Sequence, residues 1–200
     1  MNEIPRDEGV IKYRAAHSIG PAPHHPLLSE LDQVRTHLFE LGLIGAYPDG
    51  IGYGNVSIRY KHGCIISGTS TGAVKILGPQ AYCYVNSYDL QANTVITSGP
   101  VQASSESMTH CAIYQANIQV QCVLHIHNLK LWHYLLDQHY PSTLSSIAYG
   151  TPEMARATAK LVRDLDSSTS LLVMAGHEEG IISYGPTIRQ AVDQIKAVLN

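Results

Sequence analysis

Val120-Gln121-Cys122-Val123-Leu124-His125-Ile126-His127 reads as a buried strand that ends in two imidazoles. On a strand, residues i and i+2 point to the same face, about 7 Å apart along the chain. His125 and His127 can therefore reach one ion together, while Leu124 and Ile126 point to the other face and pack into a core. A metal site needs further ligands from elsewhere in the chain. An HxH pair alone also has a plain reading, as two histidines of an ordinary strand.

Downstream, Lys130–Gln138 reads as a helix, with Pro141 ending the next turn. Thr151-Pro152-Glu153 opens another helix, with an N-cap threonine and proline at its first position, running to about Leu165. Leu171-Leu172-Val173-Met174 is a buried strand. His177 follows it at a Gly176-His177 turn, and Gly180–Gly185 returns as a second strand. His177 is the candidate third ligand, since sites in sheet proteins collect at strand ends. Thr187 caps a last helix to Leu199.

Upstream, Ser104-Ser105 precede a helix over Glu106–Ala116. A carboxylate at Glu106 could ligate a metal or handle protons; it could equally be a first-turn acid favoured by the helix dipole. His110 lies one turn on, on the same helix face, and reads as structural.

Further upstream, Leu27, Leu31, Val34, Leu38 and Leu41 mark an amphipathic helix, with Ser29 and Asp32 suited to its first turn and Gly42 or Gly45 to its end. Tyr47-Pro48-Asp49-Gly50 is a turn. A glycine-rich strand follows over Gly52–Tyr60, then a hairpin at Lys61-His62-Gly63 and a returning strand at Cys64–Ser67. Tyr82–Val85 is another strand. Asn86–Ser98 reads as a polar loop holding a short strand at Thr94–Thr97. Residues 1–26, with Pro5, Pro21, Pro23 and Pro26, read as an extended N-terminal arm packed on the domain of 27–200 or on a neighbour. Strands with interleaved helices argue an α/β fold around one central sheet, and the hairpins argue that the sheet is at least partly antiparallel.

Three small polar segments form a second constellation: Gly54-Asn55-Val56-Ser57, Thr71-Gly72 and Ser104-Ser105. Such segments offer backbone N–H groups and short hydroxyls, and the helix that starts after Ser105 adds its N-terminal dipole. Together they could cradle a phosphate without an arginine. Singly, each is a plain turn with a capping serine.

The rest of the composition narrows the class. The chain has 200 residues, 44% hydrophobic and 14% charged, which suits one globular domain. So low a charge is a hint of surface covered by partner subunits. A net charge of −3, with no Lys/Arg cluster, gives no field for nucleic acid. Cys64, Cys83, Cys111 and Cys122 form no CxxC pair and no zinc-cluster spacing. The apolar runs are too short for a membrane span, and the N-terminus has neither the basic nor the apolar region of a signal peptide. A cytoplasmic setting fits all of this. His17, His24, His25, His37, His62 and His139 sit in contexts that suggest nothing sharper than surface or satisfied positions.

With both constellations in hand, the sequence resembles the class II aldolase/adducin family, and the fuculose-phosphate aldolases within it. The match runs from about Leu27 onward. It rests on GNVS at 54–57, ISGTSTG at 66–72, SSESMTH at 104–110, VLHIH at 123–127, YGT at 149–151 and AGHEEG at 175–180. The resemblance implies a three-layer α/β/α sandwich with a mostly antiparallel central sheet, and a homotetramer with sites between subunits. It implies Zn2+, or another divalent ion such as Co2+ or Mn2+, on His125, His127 and His177. It also implies a sugar phosphate held by Asn55, Thr71, Gly72, Ser104 and Ser105, with Glu106 moving a proton next to the carbonyl. The implied reaction is reversible aldol cleavage of a ketose phosphate through a metal-stabilised enediolate. Relatives with the same site epimerise or dehydrate pentulose phosphates, and adducin-type members keep the fold as an interaction module without the ligands. Tyr140 and Tyr149 are the candidates for the tyrosine that sugar-phosphate aldolases carry after the HxH strand. Glu178 replaces the second glycine of their histidine–glycine element.

Overall fold

Strand β8, Cys122–His127, is buried along its whole length and lies inside an eight-stranded mixed sheet. The computed structural model describes residues 9–165 and 170–199. The other strands of that sheet are β1 (Arg14–Ile19), β4 (Asn55–Tyr60), β5 (Gly63–Ser67), β6 (Tyr82–Asp89), β7 (Thr94–Gly99), β9 (Leu171–Val173) and β10 (Gly180–Gly185). Their order is β1-β7-β6-β5-β4-β8-β10-β9. Strand β1 runs parallel to β7, and β8 runs antiparallel to both its neighbours. A separate two-stranded piece pairs β2 (Gly45–Ala46) with β3 (Gly52–Tyr53).

The alternation of β8 sorts two cores. Leu124 and Ile126 join Val56, Ile58, Ile65 and Ile181 against helices α1 (Leu28–Glu40), α3 (Leu129–Asp137) and α5 (Ile188–Leu199). Val123 faces the other way, with Cys64, Ile66 and Ile182, against α2 (Ser107–Ala116) and α4 (Pro152–Asp164). His125 and His127 share the Val123 face. A one-residue slip of β8 would exchange the faces, sending two imidazoles into the α1/α3/α5 core. Each of Leu124 and Ile126 gains roughly 1.5–3 kcal/mol from burial, so the register is held by the apolar side while the polar side is free to carry chemistry.

Several elements differ from the sequence expectation. Residues 14–19, expected as part of an extended arm, are an extended edge strand on β7; residues 1–8 lie outside the described residues. Strand β6 continues to Asp89 instead of ending at Val85, so most of the expected loop 86–98 is a hairpin with a bulge between Val85 and Ser87. Its outer half alternates little in hydrophobicity because it is half-exposed. Asp32 does not cap α1. It accepts from Tyr82 Oη at 2.9 Å and from the Gly78 N–H at 3.1 Å. The other caps are as expected: Thr151 Oγ1 accepts from Met154 N–H at 3.2 Å, and Thr187 Oγ1 from Gln190 N–H at 3.1 Å. All four cysteines are buried and outside any disulfide, and burial pushes the Cys83 thiol up to about 12. They behave as small hydrophobes.

Helix α2 is buried from Ser107 to Tyr114, all round. Two of its polar members meet one serine inside the core. Ser57 Oγ lies 2.7 Å from both His110 Nδ1 and Tyr114 Oη, which fits the structural reading of His110. Burial pushes His110 down to about 3.

Candidate metal centre and adjoining cleft

His125 and His127 come from the end of β8, and His177 from the turn between β9 and β10. That turn is closed by His177 N–H donating to Met174 O at 2.9 Å, and by Gly180 N–H donating to His177 O at 2.9 Å. The three side chains bring one ligand nitrogen each to within 4.8 Å of one another. Their relative exposures are 1%, 2% and 4%. The three could therefore hold one ion.

Hydrogen bonds assign the ring nitrogens. Tyr47 has one hydroxyl proton, and it goes to Glu179 Oε2, 2.7 Å away, because an ionised carboxylate can only accept. Tyr47 Oη then accepts from His127 Nδ1–H, 3.0 Å away. His125 Nδ1–H donates to the Ile181 carbonyl at 3.2 Å. Both Nε2 atoms are left with lone pairs, and they face each other at 3.0 Å. Two lone pairs at that distance need a proton or a cation between them. Burial first, and then the neighbouring imidazoles of His127, His177 and His110, hold His125 well below the usual histidine range. A proton is thus disfavoured and a cation fits.

The aromatic surroundings fix the triad from outside. Tyr53 lies 5.4 Å from His127, ring centre to ring centre. Tyr149 stacks on His177 at 4.6 Å and 27°, and its hydroxyl accepts from Val10 N–H at 3.1 Å. Lys12 Nζ sits 3.8 Å from the centre of the Tyr149 ring. Of the two candidate tyrosines, Tyr149 is beside the histidines, while Tyr140 packs against the core of α1, α3 and α5. Glu178 is exposed.

A cleft of about 410 Å³ adjoins the triad. All of Asn55, Thr71, Gly72, Ser104 and Ser105 line it, together with Gly9, Val10 and Asp49–Gly52 among others. Among the described residues no Lys or Arg lines it, and Asp49 does. Its backbone is tightly packed. A Cβ on Gly72 would come 2.1 Å from Gly45 O, and one on Gly54, whose φ is +73°, would come 3.0 Å from His125 O. Asn55 pairs with His125 across β4 and β8, so the cleft begins where the triad ends. Asn55 is 6% exposed, and its Oδ1 has no hydrogen-bond partner among the described residues.

Glu106 is the N-cap residue of α2 and is 2% exposed. Its side chain makes no capping hydrogen bond. The nearby backbone is held by Ser104, whose Oγ accepts from Glu106 N–H at 3.3 Å and whose carbonyl accepts from Ser107 Oγ at 2.6 Å. Tyr13 Oη also donates to Ser104 O, at 2.9 Å. The three histidines and Glu106 are not among the lining residues of the cleft; Asn55 and Ser105 join the two parts.

Sequence reading does not single out Tyr47, Glu179 or the 9–13 segment as partners of the triad. Tyr47 sits in what reads as a turn, and Glu179 follows a histidine in a glycine turn. Neither position carries a periodic signal.

Known proteins resemble this chain in sequence pattern and in fold. The family model for the class II aldolase and adducin N-terminal domain matches residues 47–199. No curated protein matches by sequence. Among solved structures, l-fuculose-1-phosphate aldolase from Thermus thermophilus is 21% identical with a TM-score of 0.58, covering 86% of this chain and 85% of its own. Sugar-phosphate aldolase from Thermotoga maritima is 16% identical with a TM-score of 0.63, covering 84% and 88%. L-fuculose 1-phosphate aldolase from Glaciozyma antarctica is 16% identical with a TM-score of 0.53, covering 90% and 74%. At these identities the likeness is one of fold.

Proposed function

The chain belongs to the class II aldolase and adducin family, and on that premise we propose that it is a divalent-metal-dependent lyase that cleaves a ketose phosphate reversibly by aldol chemistry. The observation that carries this reading is the pair of buried Nε2 lone pairs 3.0 Å apart on His125 and His127, with His177 alongside. An adducin-like interaction module has no use for such a pair. Zn2+, or Co2+ or Mn2+ in its place, would sit on these three histidines; when bound, such an ion supplies a Lewis acid for the substrate carbonyl and its neighbouring hydroxyl.

The chain's own residues do the rest. Asn55, Thr71, Gly72, Ser104 and Ser105 hold the phosphate through N–H groups, short hydroxyls and an amide, with the α2 dipole behind the serines. That anchoring lets binding energy be used for orientation at the reacting carbon. Glu106, next to Ser105 in the chain and sheltered from water, takes and returns the proton at the carbon beside the carbonyl. The same reading includes the family's three-layer arrangement, supported by a core on each face of the sheet, and a homotetramer. The tetramer is supported by exposed apolar side chains such as Ile19, Ile118 and Leu144. No helix among the described residues is long and apolar enough to cross a membrane, which fits a cytoplasmic enzyme.

The test is solvent exchange at dihydroxyacetone phosphate in D₂O, followed by NMR, with zinc or cobalt added. We expect stereospecific exchange in the wild type and none in Glu106→Gln, which should keep metal and fold. Protein that holds metal yet exchanges nothing would set aside the aldolase reading and turn the search to pentulose-phosphate epimerisation or dehydration. Full exchange in Glu106→Gln would remove Glu106 from the chemistry.

A further inference from the structure

Among the described residues, the lining of the cleft proposed to take a phosphate has no cation and carries an acid, Asp49. A phosphate dianion held there needs positive potential from somewhere. Arg35, on α1, is 1% exposed. Its guanidinium donates to the carbonyls of Lys75 at 2.8 Å, Thr71 at 3.0 Å and Gly72 at 3.2 Å, and also to Val74 O. A guanidinium is always charged in proteins and is costly to bury. Here it is sunk behind the loop whose Thr71 and Gly72 form one wall of the cleft.

Its effect on that loop is twofold. In a trans peptide the N–H points opposite to the C=O. Drawing the Thr71 and Gly72 carbonyls toward Arg35 therefore turns the N–H groups of Gly72 and Ala73 away from it. The charge itself lies one peptide layer from the cleft, in a buried setting where screening is weak. One acid moderates it: Asp32, one turn earlier on α1, acts on Arg35 electrostatically.

We infer that Arg35 is the positioning residue of the anion site: from behind the loop, without touching the ligand, it both orients the Thr71–Lys75 amides and supplies positive charge to a cleft whose described lining residues carry none. This rests on the reading of the cleft as a phosphate pocket. It assigns the site to dianionic phosphoryl groups over uncharged polyols, through a residue on a helix that does not line the cleft.

The test is binding of inorganic phosphate to the full-length protein by calorimetry near neutral pH, with metal affinity and thermal stability measured alongside. Arg35→Gln keeps donors and loses the charge, and should weaken phosphate about tenfold while leaving metal affinity unchanged. Arg35→Lys keeps the charge and should recover most of that loss. Asp32→Asn removes the opposing charge and should tighten phosphate several-fold, a direction that no packing defect produces; this variant decides the matter if Arg35→Gln does not fold. Wild-type phosphate affinity in Arg35→Gln, or equal losses in the Gln and Lys variants with weakening in Asp32→Asn, would overturn the inference. Asn55→Ala separates the two readings. If it weakens phosphate while Arg35→Gln does not, the role of Arg35 fails alone. If the wild type takes up no phosphate, or Asn55→Ala leaves binding intact, the cleft reading fails and this inference with it.

Discussion

Replacing Tyr47 by Phe removes one oxygen, and that oxygen fixes the tautomer of His127. The hydroxyl accepts from His127 Nδ1–H at 3.0 Å and donates to Glu179 Oε2 at 2.7 Å, leaving Nε2 as the ligand nitrogen. A partner of a metal-binding histidine typically contributes roughly 10–100-fold to metal affinity. The structure selects the lower end. Glu179 Oε2 is already 3.7 Å from His127 Nδ1, on a side chain 19% exposed, and can close the gap to accept the proton itself. The phenylalanine ring keeps the contact with Tyr53, now 4.6 Å between centres, so folding should be spared. We expect about a tenfold loss of zinc affinity in Tyr47→Phe, or about 1.4 kcal/mol. When Glu179→Leu is added, the loss should approach roughly a hundredfold, because neither side chain then offers an oxygen to Nδ1–H. The assay is competition with a chromophoric zinc chelator near neutral pH, with circular dichroism to check the fold. Wild-type zinc affinity in the double variant would refute the tautomer argument, and with it the assignment of Nε2 as the inward nitrogen.

Three further outcomes are expected. His127→Ala should lose stoichiometric metal, measured by elemental analysis, while remaining folded, since the side chain lies at a strand end on the polar face of β8; one ion per chain after this change would sink the site. Asn55→Ala should raise KM for a phosphorylated substrate more than it lowers kcat, and an unchanged KM would mean that the phosphate sits elsewhere. The third concerns acid. Burial lowers His110 from 6.5 to about 3, so between those values the unfolded chain binds a proton that the folded chain does not. Stability should therefore fall as pH drops below about 6.5, by up to about 1.4 kcal/mol per pH unit for this one proton. Denaturant melts of wild type and His110→Asn across that range should differ in slope, and equal slopes would contradict a neutral buried His110.

How much of this was legible in the sequence differs from residue to residue. Period-two alternation placed His125 and His127 on one face of β8 and sent Leu124 and Ile126 to the other. Cap and turn chemistry placed His177, Glu106 and the segments carrying Asn55, Thr71, Gly72, Ser104 and Ser105 at element ends. These are local signals, because strand alternation, N-caps and glycine turns act over a few neighbouring residues. The edge strand Arg14–Ile19 was less legible, since most of its residues are exposed and leave no apolar alternation.

The tertiary structure alone decided what depends on residues far apart in the chain. Tyr47 meets His127 and Glu179 across 80 and 132 positions. Arg35 reaches the Thr71–Lys75 loop across 36 to 40. Val10 reaches Tyr149 across 139. No periodicity links such pairs, so composition and spacing cannot announce them. They nevertheless set which nitrogen of an imidazole faces inward, and where the positive charge behind the cleft lies. The sequence determined which groups would stand at the ends of the central strands; packing determined their protonation, their orientation and the field around them.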